Sequence, residues 1–216
     1  MTVGLEIDVE FPRLSPELPP ELLQKIVEFL PFRPQNKAEL QDAVDEWYED
    51  PERAEKEYGH IKTWDVGQVT DTSYLFLDKE NFNDEIGNWD VSRVTSFEGM
   101  FTGARSFNQP IEGWDTRSAT NMRTMFYGAY NFNQPVEGLN TSNVTNMSSM
   151  FSYAFAFNKP VEGLNTNNVT NMMRMFECAH AFNQPVERLG RKNLIHKRHM
   201  FKFASALEKK PSWYKE

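Results

Sequence analysis

Cysteine is almost absent from this sequence, and long apolar runs are missing altogether. The 216 residues include one cysteine, Cys178, which excludes an intrachain disulfide framework and favours a reducing compartment. No run of about 18 apolar residues occurs, so the sequence predicts no membrane-spanning helix. The opening segment MTVGLEIDVEF has no basic stretch followed by an apolar run, so we predict no signal peptide. The expectation is an intracellular, cytoplasmic protein that is not secreted.

Positive charge is also scarce, except at one end of the chain. The formal net charge of -8 argues against a nucleic-acid-binding surface. Residues 1–187 contain 14 Lys and Arg against 29 Asp and Glu, whereas residues 188–216 contain 9 against 2. We interpret the basic end as a solubilising end of the fold, and the alternative hypothesis is a docking patch for an acidic partner.

The sequence repeats itself at a fixed step of 25 residues. Residues 132–151 read FNQPVEGLNTSNVTNMSSMF and residues 157–176 read FNKPVEGLNTNNVTNMMRMF, so the two segments differ at four of twenty positions. A period of this length is typical of architectures in which successive units stack on one another. The column of residues that fixes the register contains Trp64, Trp89, Trp114, Leu139, Leu164 and Leu189.

Each unit has apolar residues at a helical spacing. In one unit, positions i, i+3, i+4 and i+7 are occupied by Met147, Met150, Phe151 and Ala154. This spacing predicts a short helix over residues 145–154, beginning at a cap formed by a threonine or an asparagine. A strand of two to four residues is expected around residues 161–165, where parallel strands from successive coils would pair.

Two columns of polar residues run through the units. An asparagine inside a stack can satisfy backbone groups that each coil leaves unpaired, so we predict a structural asparagine ladder. The threonines are expected to cap the predicted helices, and a flat array that orders water is the alternative. The columns contain Asn83, Asn108, Asn133, Asn158 and Asn183, and Thr70, Thr95, Thr120, Thr145 and Thr170.

Two complete units read WDVSRVTSFEGMFTGARSFNQPIEG and WDTRSATNMRTMFYGAYNFNQPVEG. They resemble the BspA-like leucine-rich-repeat family, whose units read roughly W-D-x-S-x-V-T-x-M-x-x-M-F followed by F-N-Q. The resemblance covers residues 60–207 and implies a right-handed, leucine-rich-repeat-like solenoid used for binding. The predicted fold class is therefore an α+β solenoid of 25-residue coils, each with a short strand and a short helix. Residues 39–65 resemble the region that precedes such repeats in proteins of algae, protists and large DNA viruses.

The N-terminal third of the chain differs from the repeats. Asn36 and Glu39 have the spacing of a capping box, and the helical stripe that follows ends before Pro51. A second short helix is predicted to begin at Pro51 and to end at a glycine. We expect these helices to cover the open apolar end of the first coil, with Trp47 and Tyr58 as wedge residues.

Residues 18–32 read LPPELLQKIVEFLPF and resemble the first helix of an F-box. The resemblance implies that a ubiquitin-ligase adaptor binds Leu18, Pro19, Leu22, Ile26 and Leu30. The other two helices of an F-box do not follow, and the alternative is an amphipathic helix packed on the repeats. The predicted organisation is a flexible N-terminus (1–17), an F-box-like helix (18–35), a helical cap (36–62), the repeats (63–207) and a C-terminal tail (208–216).

Candidate catalytic groups do not form a recognisable constellation. His196 and His199 are too close together for the H-E-x-x-H metal motif and lack its glutamate. No histidine recurs beside Cys178 in a way that would activate a nucleophile. The paired carboxylates of a glycosidase could be sought in the glutamate column of the repeats, but an unvaried row favours an exposed acidic stripe. We therefore predict a protein that is not an enzyme and that has no cofactor and no metal.

The repeats keep a constant core and change their surface, which is typical of a recognition module. We expect a non-catalytic protein-binding or scaffold protein whose partner is an unidentified protein. The alternatives are an F-box-like substrate receptor of a ubiquitin ligase and a structural component of a large DNA virus particle. The predicted partner-binding residues are Glu112, Glu137, Glu162, Glu187, Asp115, Asn140 and Asn165.

Overall fold

The computed structural model describes residues 30–190 and 192–215. The chain divides into two units, Met1–Pro31 and Phe32–Glu216, and the first is described only at Leu30 and Pro31. In the second unit, helix α1 (Lys37–Glu49) and helix α2 (Pro51–Tyr58) come first. The rest consists of turns, with two short 3-10 helices at Ile61–Thr63 and Glu187–Leu189.

The start of helix α1 has the predicted cap. The Asn36 side chain accepts a hydrogen bond from the Glu39 backbone N–H at 3.1 Å. The Glu39 carboxylate reaches back to the Gln35 N–H and to the Asn36 amide, both at 2.8 Å. The bond from the Glu39 N–H satisfies a donor that the first turn of a helix leaves unpaired, so the predicted helix start is confirmed.

Helix α2 also has the predicted limits. Asp50 caps it, because its carboxylate accepts from the Arg53 N–H at 3.1 Å, and Pro51 occupies the first helical position. The helix ends at Gly59, whose φ of 71° lies in the left-handed region that glycine adopts without a steric penalty.

Helix α1 covers the first coil of the stack. Its residues Leu40, Ala43, Val44 and Trp47 are buried. The Gln41 amide donates to the Leu75 carbonyl at 3.1 Å, and the Lys79 ammonium lies 2.6 Å from the Asp45 carboxylate. The predicted wedge residues are at this junction, since the rings of Trp47 and Tyr58 both lie 6.0 Å from the Trp64 ring.

Each 25-residue coil contains a run of overlapping turns where the helix was predicted. In the coil that contains Phe151, N–H groups donate to carbonyls three residues back, from Met150 to Met147, from Ser152 to Ser149 and from Ala154 to Phe151. The third residue of two of these turns has a positive φ, 54° at Ser149 and 58° at Tyr153. A positive φ at this position is the requirement of a type II turn.

The turn segments of successive coils are joined by hydrogen bonds that all point the same way. The N–H groups of Met147, Ser149, Phe151 and Tyr153 donate to carbonyls of the next coil at 2.8 to 2.9 Å. The same four bonds occur at all five junctions between described coils. Single parallel bridges also connect Asp71, Ser96, Asn121, Asn146, Asn171 and His196 in series.

The predicted α+β solenoid with a strand and a helix in each coil is wrong. Two positive φ angles within residues 145–154 exclude an α-helix there, and alternate N–H groups bind the next coil instead of the carbonyl four residues back. Residues 161–165 contain a turn closed by the Leu164 N–H and the Val161 carbonyl, so no strand forms there. Across residues 30–190 and 192–215 the backbone has no strand, so the leucine-rich-repeat architecture is not present in this part of the chain.

Two columns of stacked phenylalanine rings run through the core. Rings of the first column lie 5.4 to 5.7 Å apart, and those of the second lie 5.9 to 6.0 Å apart. Within a coil the two rings are separated by 3.9 to 4.1 Å. The first column is Phe76, Phe101, Phe126, Phe151, Phe176 and Phe201, and the second is Phe82, Phe107, Phe132, Phe157 and Phe182. The predicted core positions are therefore confirmed.

The asparagine ladder is confirmed, whereas the proposed role of the threonines is wrong. The side-chain oxygens of the first four asparagines each accept from the backbone N–H of the next asparagine in the column at 2.8 to 3.0 Å, and that of Asn183 accepts from the Glu208 N–H at 3.1 Å. The threonine hydroxyls do not cap helices. Instead, those of Thr95, Thr120, Thr145 and Thr170 donate to the carbonyl of the threonine one coil back. Asparagines such as Asn146 close a local turn, because the Asn146 side chain accepts from the Ser148 N–H two residues later.

Candidate functional site

The predicted glutamates form a row of exposed or half-buried carboxylates in which three members bind the next coil. Glu137 accepts from the Gly163 N–H at 3.2 Å, and Glu162 accepts from the Arg188 N–H at 3.1 Å. Glu187 accepts from the Ser212 N–H and hydroxyl, and these bonds lower the pKa of its carboxyl group. Glu112 is exposed. The row therefore helps to hold successive coils together.

The other three predicted partner-binding residues close turns within their own coils. Side-chain oxygens of Asp115, Asn140 and Asn165 each accept from the backbone N–H two residues later, at 3.1 to 3.2 Å. Asp115 also forms an ion pair with Arg117 at 2.8 Å, and the Arg117 guanidinium lowers the pKa of the Asp115 carboxyl. These side chains have local structural partners, as expected for Asx turns.

A cluster of five aromatic rings lies on the turn side of three neighbouring coils, and we call it the aromatic patch. Tyr130, Phe155 and His180 stack in one column, with centroid distances of 4.5 and 4.9 Å. Tyr153 links Tyr127 at 5.5 Å to Phe155 at 6.2 Å. Tyr127 and His180 are exposed, and the other three rings are half-buried.

Sequence reasoning missed the aromatic patch, although one signal of it was present. The residue type differs at every step of the column Glu80, Arg105, Tyr130, Phe155, His180 and Ser205, which marks a variable surface position. The other two rings of the patch, Tyr127 and Tyr153, belong to two different columns of the repeat. Only the folded coils bring their rings together.

A half-buried carboxylate with three hydrogen-bond donors around it is a stability element of the first three coils. Glu98 accepts from the Tyr74 hydroxyl at 2.6 Å, from the Asn121 amide at 2.8 Å and from the Arg123 guanidinium at 2.7 Å. The Tyr74 hydroxyl is the largest influence that lowers the Glu98 pKa, and Asn121 and Arg123 add to it against the opposing effect of burial.

We predict a pH-dependent loss of stability in Glu98→Gln. Because folding lowers the Glu98 pKa, the ionised carboxylate stabilises the fold above its unfolded pKa, and this contribution disappears as the pH falls through the folded value. At pH 7 the variant should lose about 1 kcal/mol of unfolding free energy, a figure kept small because the cluster lies near solvent. Urea titrations measure the free energy of unfolding of both proteins at pH 7 and pH 3. The difference between the variant and wild type should be smaller at pH 3 than at pH 7. A constant difference would contradict the ionic origin of the effect.

An open cleft of about 350 Å³ lies beside the first two coils and is lined by His60, Lys62, Asn83, Asp84, Glu85 and Gln109. The His60 ring accepts from the Lys62 N–H through Nδ1 at 3.3 Å, and Asp84 accepts from the Trp47 indole at 3.1 Å. Two of its polar groups are thus held by structural hydrogen bonds. In the described ranges no group of three His, Cys, Asp or Glu residues is arranged to hold a metal ion.

The remaining predicted site residues are dispersed. Of the five adaptor-binding residues, Leu18, Pro19, Leu22 and Ile26 lie outside the described residues, and Leu30 is 37% exposed. His196 is exposed and His199 is half-buried in the last described coil, while Cys178 is a buried free thiol. No helix in the described ranges is long and apolar enough to cross a membrane.

These features define a protein of stacked 25-residue coils, with two helices that cover the first coil and a surface that varies from coil to coil. The chain belongs to the family described as "Mycoplasma protein of unknown function, DUF285", whose model matches residues 44–143 and again residues 114–214. The match overturns the resemblance to the BspA-like leucine-rich-repeat family, because it names a different family. Comparisons with curated proteins and with solved structures found no match.

Proposed function

We propose that this chain is a non-catalytic protein-binding protein whose partner contacts the aromatic patch. The observation that supports the proposal most directly is the contact among five surface rings from three coils. A regular core with a surface that varies between coils, including the column that contains Tyr130, Phe155 and His180, is the arrangement expected of a recognition module.

The chemistry of the patch suits a protein partner. Tyrosine, phenylalanine and arginine are enriched in the energetically dominant parts of protein interfaces, and Arg105 lies 5.3 Å from the Tyr130 ring centroid. Rings that already stack on one another lose little side-chain freedom when a partner covers them. The hydroxyls of Tyr127, Tyr130 and Tyr153 add polar groups that can fix the orientation of the partner.

An intracellular location forms part of the same proposal. Cys178 is a free thiol with no second cysteine in the chain, which is compatible with a reducing compartment. The proposal involves no cofactor.

The test begins with a photo-crosslinking amino acid placed at position 130 or at position 112 in the full chain, exposed to native host lysate. The partner crosslinked at position 130 is then purified, and its affinity is measured for wild type, Tyr130→Ala and Phe155→Ala. Removal of an interface ring should weaken binding by about 2 kcal/mol, or roughly 30-fold.

Glu137→Gln and Glu162→Gln are the matched controls on the glutamate row, because glutamine retains an acceptor oxygen for the bond to the next coil. These variants should bind the partner as wild type does. Crosslinks at position 112 alone, or affinity lost only in the glutamine variants, would place the partner on the glutamate row and refute the proposal.

A further inference from the structure

The last described coil has a row of backbone donors that find no acceptor among residues 30–190 and 192–215. In every earlier coil, the N–H groups at four alternate positions of the turn segment donate to the next coil. The equivalent N–H groups of Lys197, His199, Phe201 and Phe203 have no acceptor within the described residues. We call this row, residues 197–203, the C-terminal edge.

The carbonyls of the same segment are already occupied. Those of His196, Arg198, Met200 and Lys202 accept from the preceding coil. Those of Lys197, His199 and Phe201 close turns within the segment. The C-terminal edge therefore offers donors and almost no free acceptors.

An edge of donors selects its ligand differently from an ordinary sheet edge. A β-strand presents N–H and C=O groups in alternation. If such a strand docked on the C-terminal edge, the N–H groups of the strand would find no acceptor on the edge. Two copies of this edge would also face each other donor to donor, which excludes a symmetric dimer through it. The complementary ligand is one that presents acceptors, and anionic groups do so most strongly.

The charge around the C-terminal edge favours the same ligand. Residues 188–216 contain 9 Lys and Arg against 2 Asp and Glu, whereas the chain as a whole has a net charge of -8. Within the edge, Arg198 is exposed and Lys202 is half-buried. A long polyphosphate would extend over the acidic body and be repelled, but a short acidic segment can stay within the basic end.

Two exposed apolar side chains, one within the edge and one next to it, further favour a peptide. Ile195 is 69% exposed and Phe203 is 64% exposed, the two largest values among the exposed large apolar residues. Together with the basic charge and the N–H groups that have no acceptor in the described part of the chain, they lead us to infer that the C-terminal edge binds a short, carboxylate-rich peptide segment of a partner protein. Its carboxylates and carbonyls accept from the edge, and its apolar side chains cover Ile195 and Phe203.

The probe is a fluorescein-labelled eight-residue peptide that alternates glutamate and valine, titrated into the full chain. The peptide should bind, and its affinity should fall as salt is added. The double variant Arg198→Glu with Lys202→Glu should bind at least roughly tenfold more weakly, a loss of about 1.4 kcal/mol. Arg93→Glu with Lys159→Glu makes the same charge change in earlier coils and should bind as wild type does. Thermal unfolding of each variant checks that the fold is retained.

Amide NMR spectra report the edge directly. On peptide addition, the amide protons of Lys197, His199 and Phe203 should move downfield and exchange more slowly, while those of Met147 and Ser149, already bonded, should not change. The inference is overturned if these amides do not respond. It is also overturned if a glutamine–valine peptide binds equally well, if an eight-nucleotide oligothymidine binds more tightly, or if the same amides shift with protein concentration alone.

Discussion

Phe151→Ala should destabilise the protein by about 3 to 5 kcal/mol, as expected when a fully buried ring is truncated. Phe151 is inaccessible to solvent and lies between Phe126 at 5.6 Å and Phe176 at 5.7 Å, with Phe157 at 4.0 Å in its own coil. The alanine variant loses these contacts and leaves a cavity, because the flanking rings are held by their own coils. Equilibrium unfolding in urea measures the difference.

Phe155→Ala is the control for this prediction. Its ring is half-buried and stacks on Tyr130 and His180 at the surface, so its loss should cost less than about 1.5 kcal/mol. Equal effects of the two substitutions would mean that the inner phenylalanine column does not dominate the core.

Asn133→Ala should cost about 1 to 3 kcal/mol, the range for a polar group left without its partner in the protein. The Asn133 side chain accepts from the Asn158 N–H at 3.0 Å, and alanine removes that acceptor. Because Asn158 is half-buried, water replaces the lost bond only in part. Thermal and urea unfolding should both register the loss.

Asn133→Asp separates the hydrogen bond from the size of the side chain. Aspartate keeps the oxygen that accepts from Asn158, so this variant should stay closer to wild type than Asn133→Ala does. If aspartate and alanine destabilise equally, the acceptor oxygen is not the source of the effect and the ladder contributes little.

The buried positions of the repeat could be predicted from sequence, but the conformation of its backbone could not. Met147, Met150, Phe151 and Ala154 are all inaccessible to solvent, as their spacing predicts. A series of overlapping turns places residues at i, i+3, i+4 and i+7 on the same side, as a helix does. The residue types do not predict the turns either, since Ser149 and Tyr153 adopt a positive φ, which is usual only for glycine. The hydrogen bonds to the next coil stabilise that conformation, and they exist only when the coils are stacked.

The candidate site was less predictable than the core. The glutamate row was visible as a column, but its bonds to Gly163 and Arg188 depend on the distance between coils. The aromatic patch combines residues of different columns, and periodicity relates only residues of the same column. Hydrogen-bond direction is not encoded in residue type at all, so the donor row of residues 197–203 could not be anticipated.

The order of amino acids is sufficient to define the period of 25, the buried columns, the asparagine ladder and the two N-terminal helices with their caps. Each of these features depends on residue type at a fixed spacing, and that spacing can be read directly from a single sequence. Tertiary structure decided that the coils consist of turns, that the surface rings meet, and that one edge is left with donors. These outcomes depend on hydrogen bonds and contacts between residues about 25 positions apart, whose geometry is set only when one coil lies against the next.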